Sequence, residues 1–213
     1  MANISSKDQA NYYLIVKGEV MLANNKSDKA KDAIDKLGVT YISDYHHLSY
    51  YLLSLRYYQQ IGDLETWKII TNEFVQLKKF NENPMTYLTQ AQLAQYDGKF
   101  DLAKNAFEQA KARAIKINSA KVIAKVLNPY ILFLLEDLNE IKQAQHNLIE
   151  IEKHVVPDYP YLKVKAKVLF KQGEIFSAAT TLEELKSKSG NLWTSEDQLL
   201  LENYHNQISI NIK

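Results

Sequence analysis

The stretch YLTQAQLAQYDGKFDLAKNAFEQA, Tyr87 to Ala110, decides how the rest of the chain is read. Small and apolar residues recur in it at helical spacing, and Asp97-Gly98 interrupts them, so it predicts two short helices joined by a tight turn. Looser versions of the same pattern occur four more times. The turn positions are Asn25, Gly62, Gly98, Asn139 and Gly173, separated by 37, 36, 41 and 34 residues. A period in this range marks stacked helix pairs, in which each pair buries its apolar face on the next. Five residues after each turn stand Ala30, Trp67, Ala103, Ala144 and Ala178. Alanine suits a place where two helices cross closely. Trp67 breaks the pattern, and the second pair is expected to be splayed there or packed differently.

Read in order, the pairs cover about residues 7–38, 44–80, 84–117, 119–154 and 158–188, with a last helix at about 195–209, all in one domain. Ser5 with Asp8 resembles a capping box, and Ser195 with Gln198 forms a better one before the final helix. Gly38 stands where a C-terminal cap belongs, and Ser43 or Asp44 can cap the helix that follows. Asn81 to Pro84 is the clearest linker, with Pro84 suited to a first helical turn. Pro129 is expected to kink the first helix of pair four or to shift its start. Val156-Pro157-Asp158 links to the fifth pair, and Trp193 is expected to staple the final loop onto it. The run Leu199-Leu200-Leu201 gives the last helix an inward face and a second face able to support a homodimer.

Composition narrows the function. With 6 Gly and 4 Pro among 213 residues, helices with short connections are favoured. Lys+Arg 26 against Asp+Glu 25 gives no global field to recruit nucleic acid or an anionic membrane. There is no cysteine, so thiol catalysis, disulfides and cysteine-based zinc sites are excluded. The N-terminal MANISSKDQANYY has no apolar core of signal-peptide length, and the apolar run Val122 to Leu135 is cut by Lys125, Asn128 and Pro129. The chain is read as soluble and cytoplasmic.

Ala91, Gly98, Phe100, Ala103, Phe107 and Ala110 in pair three resemble the tetratricopeptide repeat (TPR) superfamily. So do Ala166, Gly173, Ala178 and Leu182 in pair five, and Gly18, Ala30 and Ile34 in pair one. The resemblance implies an all-α fold, a right-handed α-solenoid of about five TPR-like helix hairpins plus a C-terminal capping helix. It also implies a concave groove that holds a protein or peptide ligand without enzymatic chemistry, metal or cofactor. Transferring the groove-facing positions gives Arg56, Gln59, Gln92, Gln95, Tyr96, Phe133, Lys163, Lys167 and Lys171. Gln92, Gln95 and Tyr96, with Arg56, suit sequence-tolerant holding of a peptide backbone, because amides both donate and accept.

The lysines fall at i, i+4 and i+8 and admit two readings. They form a basic shelf for a carboxylate or acidic peptide, or they are a solvated face paired with Glu196, Asp197 and Glu202. The asparagines that accompany lysine in the TPR carboxylate clamp are missing. An alternative from another class is a peptide-sensing regulatory domain of a bacterial transcription regulator, present without its effector domain. An enzyme finds little support. His46-His47 points to two helix faces, and Glu136-Asp137 and Glu183-Glu184 are ordinary surface neighbours. Gly98-Lys99 lacks the rest of a phosphate loop. The 14 tyrosines fall mostly at packing positions.

Overall fold

A computed structural model describes residues 6–37, 42, 44–156 and 158–211 of the chain. Among these residues every regular element is helical. The order is α1 (Ser6–Ala23), α2 (Ser27–Leu37), α3 (Asp44–Ile61), α4 (Leu64–Val75), α5 (Pro84–Tyr96) and α6 (Phe100–Ile117). It continues with α7 (Ala120–Glu136), α8 (Ile141–Glu152), α9 (Tyr159–Lys171), α10 (Ile175–Ser189) and α11 (Ser195–Asn211). Single 3₁₀ turns follow α4 at Lys78–Phe80 and α10 at Gly190–Leu192. Odd- and even-numbered helices pair as five hairpins, and α11 follows the fifth. The caps expected from Ser5, Gly38 and Ser43, and the linker residue Pro157, lie outside the described residues.

All five turn residues take positive φ: Asn25 56°, Gly62 76°, Gly98 71°, Asn139 53° and Gly173 84°. Only glycine, and to a lesser degree asparagine, enters this region without strain, which is why the turns could be found in the sequence. Four hairpins then close with the same two bonds. In hairpin three, Gly98 N–H donates to the Gln95 carbonyl (3.0 Å) and Lys99 N–H to the Ala94 carbonyl (2.8 Å). This pair satisfies the last carbonyls of the first helix. The residue after each turn opens the second helix, and its carbonyl accepts from the residue four further on: Ala30, Trp67, Ala103, Ala144 or Ala178. All five are buried. The alanine step is therefore the first inward position of each second helix.

Helix starts follow local chemistry. Asp63 accepts from Thr66 N–H (3.1 Å) before α4, Asn83 from Met85 N–H (2.9 Å) before α5, and Asp158 from Tyr161 N–H (3.1 Å) before α9. Pro84 occupies the first turn of α5. Pro129 lies inside α7 without moving its start, since the helix runs unbroken from Ala120. The last helix is capped one residue earlier than expected. Thr194 Oγ1 accepts from Asp197 N–H (3.2 Å), and Asp197 Oδ2 accepts from Thr194 N–H (2.9 Å). Gln198, freed from that role, instead accepts from Lys186 and from the Trp193 indole (3.3 Å), which ties the final loop to α10 and α11.

Backbone contacts divide the chain at Glu82/Asn83, inside the linker seen in the sequence, into two compact units. The first unit holds the first two hairpins around Ile15, Leu22, Ile34, Leu37 and Leu53. The second holds the other three hairpins and α11 around a longer core from Leu88 to Tyr204, with Phe107, Tyr130, Phe133 and Leu182 fully buried. Each such side chain stabilises its unit by about 1.5–3 kcal/mol.

Candidate functional site

The register of the first helices can be read from the bond that closes each turn. The accepting carbonyls are those of Met21, Tyr58, Ala94, Leu134 and Leu169. Two residues before each stand Glu19, Arg56, Gln92, Leu132 and Lys167. Arg56, Gln92 and Lys167 are thus equivalent, as the sequence reading has them. Phe133 is not. It is fully buried, 5.2 Å from the Phe107 ring and 6.0 Å from Phe100, and belongs to the core rather than to a groove wall. The cause is local. Glu140 N–H reaches back six residues to Leu134, where the other four hairpins reach back five, so the fourth turn is one residue longer. Counting back from Asn139 lands one position too far along, and the position belongs to Leu132.

Four of the other eight candidate residues are engaged with neighbouring elements. In the first unit, Arg56 Nη1 pairs with Glu19 Oε2 at 2.8 Å, and Gln59 is exposed beside it in sequence. In the second unit, Gln95 Nε2 donates to Asp137 Oδ2 at 2.8 Å, Gln92 is half-buried and Tyr96 is 49% exposed. Lys167 pairs with Glu136 at 2.6 Å and Lys163 with Asp197 at 2.7 Å, while Lys171 is exposed. Two of the three lysines are therefore neutralised within the fold, Lys163 by one of the acidic residues expected of a paired face.

Asp197 is the focus of this end. It is fully buried and accepts from Thr194 and from the Tyr159 hydroxyl as well as facing Lys163. Burial alone would raise its carboxyl, but Lys163, Thr194 and Tyr159 together outweigh that and hold it at about 2. Burial and the same carboxylate push the Tyr159 hydroxyl up to about 12. A parallel arrangement crosses from α6 to α8. Lys104 donates to Glu140 (2.7 Å), Lys111 to Asn147 (2.7 Å) and Gln143 to Glu108 (3.1 Å). Burial, with the Glu108 carboxylate, pushes the Tyr130 hydroxyl far up. These side chains are committed to one another within the fold, which suits structural roles.

Between α7 and the start of α9 lies an open depression of about 550 Å³. Ala120, Ala124, Pro129, Val155 and Pro160 make it mainly apolar, and Lys121, Lys125, Asn128 and Asp158 supply its polar rim. Asn128, at its rim, lies one helical turn before Leu132 on α7. Sequence reasoning missed Lys121, Lys125 and Asn128, because attention there went to the effect of Pro129 on the helix. The available signal was the i, i+4, i+7 spacing of the three residues.

With this geometry in hand, comparison with known proteins gives one informative likeness. The crystal structure of yeast Tom70, a helical TPR-repeat protein, superposes with a TM-score of 0.61 at 17% identity. The match covers 92% of this chain and 40% of that one. The fold is an all-α array of TPR-like helix hairpins. No protein-family model and no curated protein matches the sequence.

On this TPR-like scaffold the histidines separate as the spacing predicts. His46 is buried near Tyr12, with ring centroids 6.1 Å apart, while His47 is half-exposed beside Lys79. Among the described residues no three His, Asp or Glu side chains gather as a metal-holding group, and no helix is long and apolar enough to cross a membrane.

Proposed function

We propose that the chain is a non-enzymatic binding module that holds a protein or peptide segment along the first helices of its hairpins. The observation that carries this reading is the depression between α7 and α9. It is apolar in its floor and open to solvent. An apolar recess with a few polar groups at its rim suits one anchoring side chain of an extended segment, and the flanking amides and charges set its register. Lys121 at the rim favours an acidic residue beside that anchor. Lys163 and Lys167 are already paired, so they add little. The TPR-like fold supports a binding role of this kind without naming the partner.

The test is selection from a random peptide library on the immobilised protein, followed by fluorescence anisotropy titration of the enriched peptides. The expected motif is an aliphatic or aromatic residue next to Asp or Glu. Ala124→Trp, which fills the recess, is expected to weaken binding at least tenfold, and Lys121→Glu to weaken acidic peptides selectively. A library that yields no binder, or binders indifferent to both variants, would overturn the reading.

A further inference from the structure

Asn128 is a residue that the fold alone does not explain. From Val126 to Leu135, α7 carries this one amide among apolar and aromatic side chains, directly after fully buried Leu127 and directly before Pro129. Asparagine is a weak helix former, and a residue that precedes proline is disfavoured in helical conformation. The helix nevertheless runs unbroken through it. Its Oδ1 is buried and makes no hydrogen bond within the described residues. A buried acceptor without a donor is destabilising, and native chains keep few of them. Thr71 and Asn147 also hold such atoms, but both side chains are fully enclosed. Asn128 instead lines the open apolar depression between α7 and α9. A leucine of similar volume would remove the weak helix former and the stranded acceptor together.

We propose that Asn128 is a specificity-determining contact of the depression: its Oδ1 accepts a main-chain N–H of the bound segment, the hydrogen bond that it lacks in the free chain. The inference rests on the binding role proposed above. An extended segment has no internal acceptors for its own N–H groups, and one pressed into an apolar recess loses water there. The recess must therefore supply an acceptor. Lys121 and Lys125 side chains only donate, and the Asp158 carboxylate already caps α9 by accepting from Tyr161 N–H at 3.1 Å. Asn128 is the remaining polar side chain. A turn about its Cα–Cβ bond swings the amide from its buried position toward the depression, and a helical backbone leaves two such rotamers open. The amide is neutral, so the contact reads the ligand's backbone and not its side-chain charge. It fixes which peptide unit lies beside the anchoring side chain, while Lys121 acts on the residue next to it. Asn128 is thus held against the stability of the free chain.

The experiment uses the full chain and the tightest peptide enriched on it from the random library, with copies that carry one N-methyl group at each backbone amide in turn. One N-methyl position near the apolar anchor is expected to weaken binding to the wild type at least tenfold, about the worth of one hydrogen bond. Asn128→Leu should bind the unmethylated peptide at least tenfold more weakly, and the same methyl should then change its affinity by less than about twofold. At least one of Asn128→Leu and Asn128→Ala should also raise the melting temperature, by about 2–4 °C, because the stranded acceptor is gone. The proposal fails if both variants melt below the wild type, or if every methylated peptide loses equally on wild type and Asn128→Leu. Peptides that Ala124→Trp abolishes but Asn128→Leu leaves intact would overturn this inference alone. The absence of any binding peptide would overturn it together with the binding role.

Discussion

In the second hairpin Gly62 turns at φ 76° and the residue five positions on is Trp67; in the third, Gly98 turns at φ 71° and that residue is Ala103. The closing bonds are nearly the same, Asp63 to Tyr58 at 3.0 Å and Lys99 to Ala94 at 2.8 Å. Beyond the turn the two hairpins differ. Helices α5 and α6 lie close together along more of their length than α3 and α4 do. In hairpin two, aromatic rings fill the wider gap. Trp67 is 4% exposed, Tyr51 stacks on Phe74 at 5.4 Å, and Phe74 meets Phe80 at 5.7 Å. In hairpin three, Ala91, Ala103 and Ala110 bring the helices together, and Phe107 turns to the next hairpin, stacking on Tyr130 at 4.9 Å. Backbone chemistry thus fixes the turn, while the side chains beyond it differ in size and in what they pack against. Rings that close one hairpin internally serve, in the other, to join it to its neighbour.

The largest expected effect comes from Trp67→Ala. It removes a buried indole and leaves a cavity, so urea denaturation should show a loss of about 3–5 kcal/mol. A loss below about 1 kcal/mol would mean that α4 simply closes onto α3, and the contrast between the hairpins would fail. Ala103→Leu tests the converse, a larger side chain where the helices are already close, with an expected cost of about 1–3 kcal/mol. Next come Gly62→Ala and Gly98→Ala. Nothing lies within 4 Å of the added Cβ at either position, so only the positive φ opposes it. Each should lose about 1–2 kcal/mol in thermal unfolding, and the two losses should agree. Unequal losses would show that the turns are not equivalent.

The smallest effect separates the helix starts. Asp63 accepts from Thr66 at the start of α4, whereas Lys99 has no side-chain cap at the start of α6. Asp63→Ala should lower the melting temperature by a few degrees at neutral pH, and Lys99→Ala should not. The Thr66 hydroxyl and amide hold the Asp63 carboxyl below its usual value. A lowered carboxyl contributes stability above the unfolded-state value and loses it as the pH falls through the folded-state value. The gap between wild type and Asp63→Ala should therefore close in acid. A gap that persists there would assign the effect to something other than the ionised cap.

These hairpins also show what was legible in the sequence. Gly62, Gly98 and Gly173, with Asn25 and Asn139, could be found because positive φ restricts the residue type, and the alanines because close helices restrict size. Trp67 declared its own exception. Other features were hidden for physical reasons. An extra residue in the fourth turn leaves no mark on composition, so Phe133 was placed on a surface it does not occupy. The pairing of Lys163 with Asp197 and of Lys167 with Glu136 joins helices that are distant in sequence, where spacing within one helix gives no guidance. Thr194 and Asp197 make as good a capping pair on paper as Ser195 and Gln198, and only the buried contacts of Asp197 with Lys163 and Tyr159 distinguish them.

The bonds between hairpins have a kinetic consequence. Glu19 to Arg56 spans 37 residues, Lys104 to Glu140 and Lys111 to Asn147 span 36, and Gln95 to Asp137 spans 42. Each joins a hairpin to the one beside it, so these contacts close loops of little more than one repeat. Refolding should accordingly be fast for a chain of this length. The earliest amide protection is expected in α5 and α6, where the closest helix pair needs only the short reach from Ala91 to Ala110.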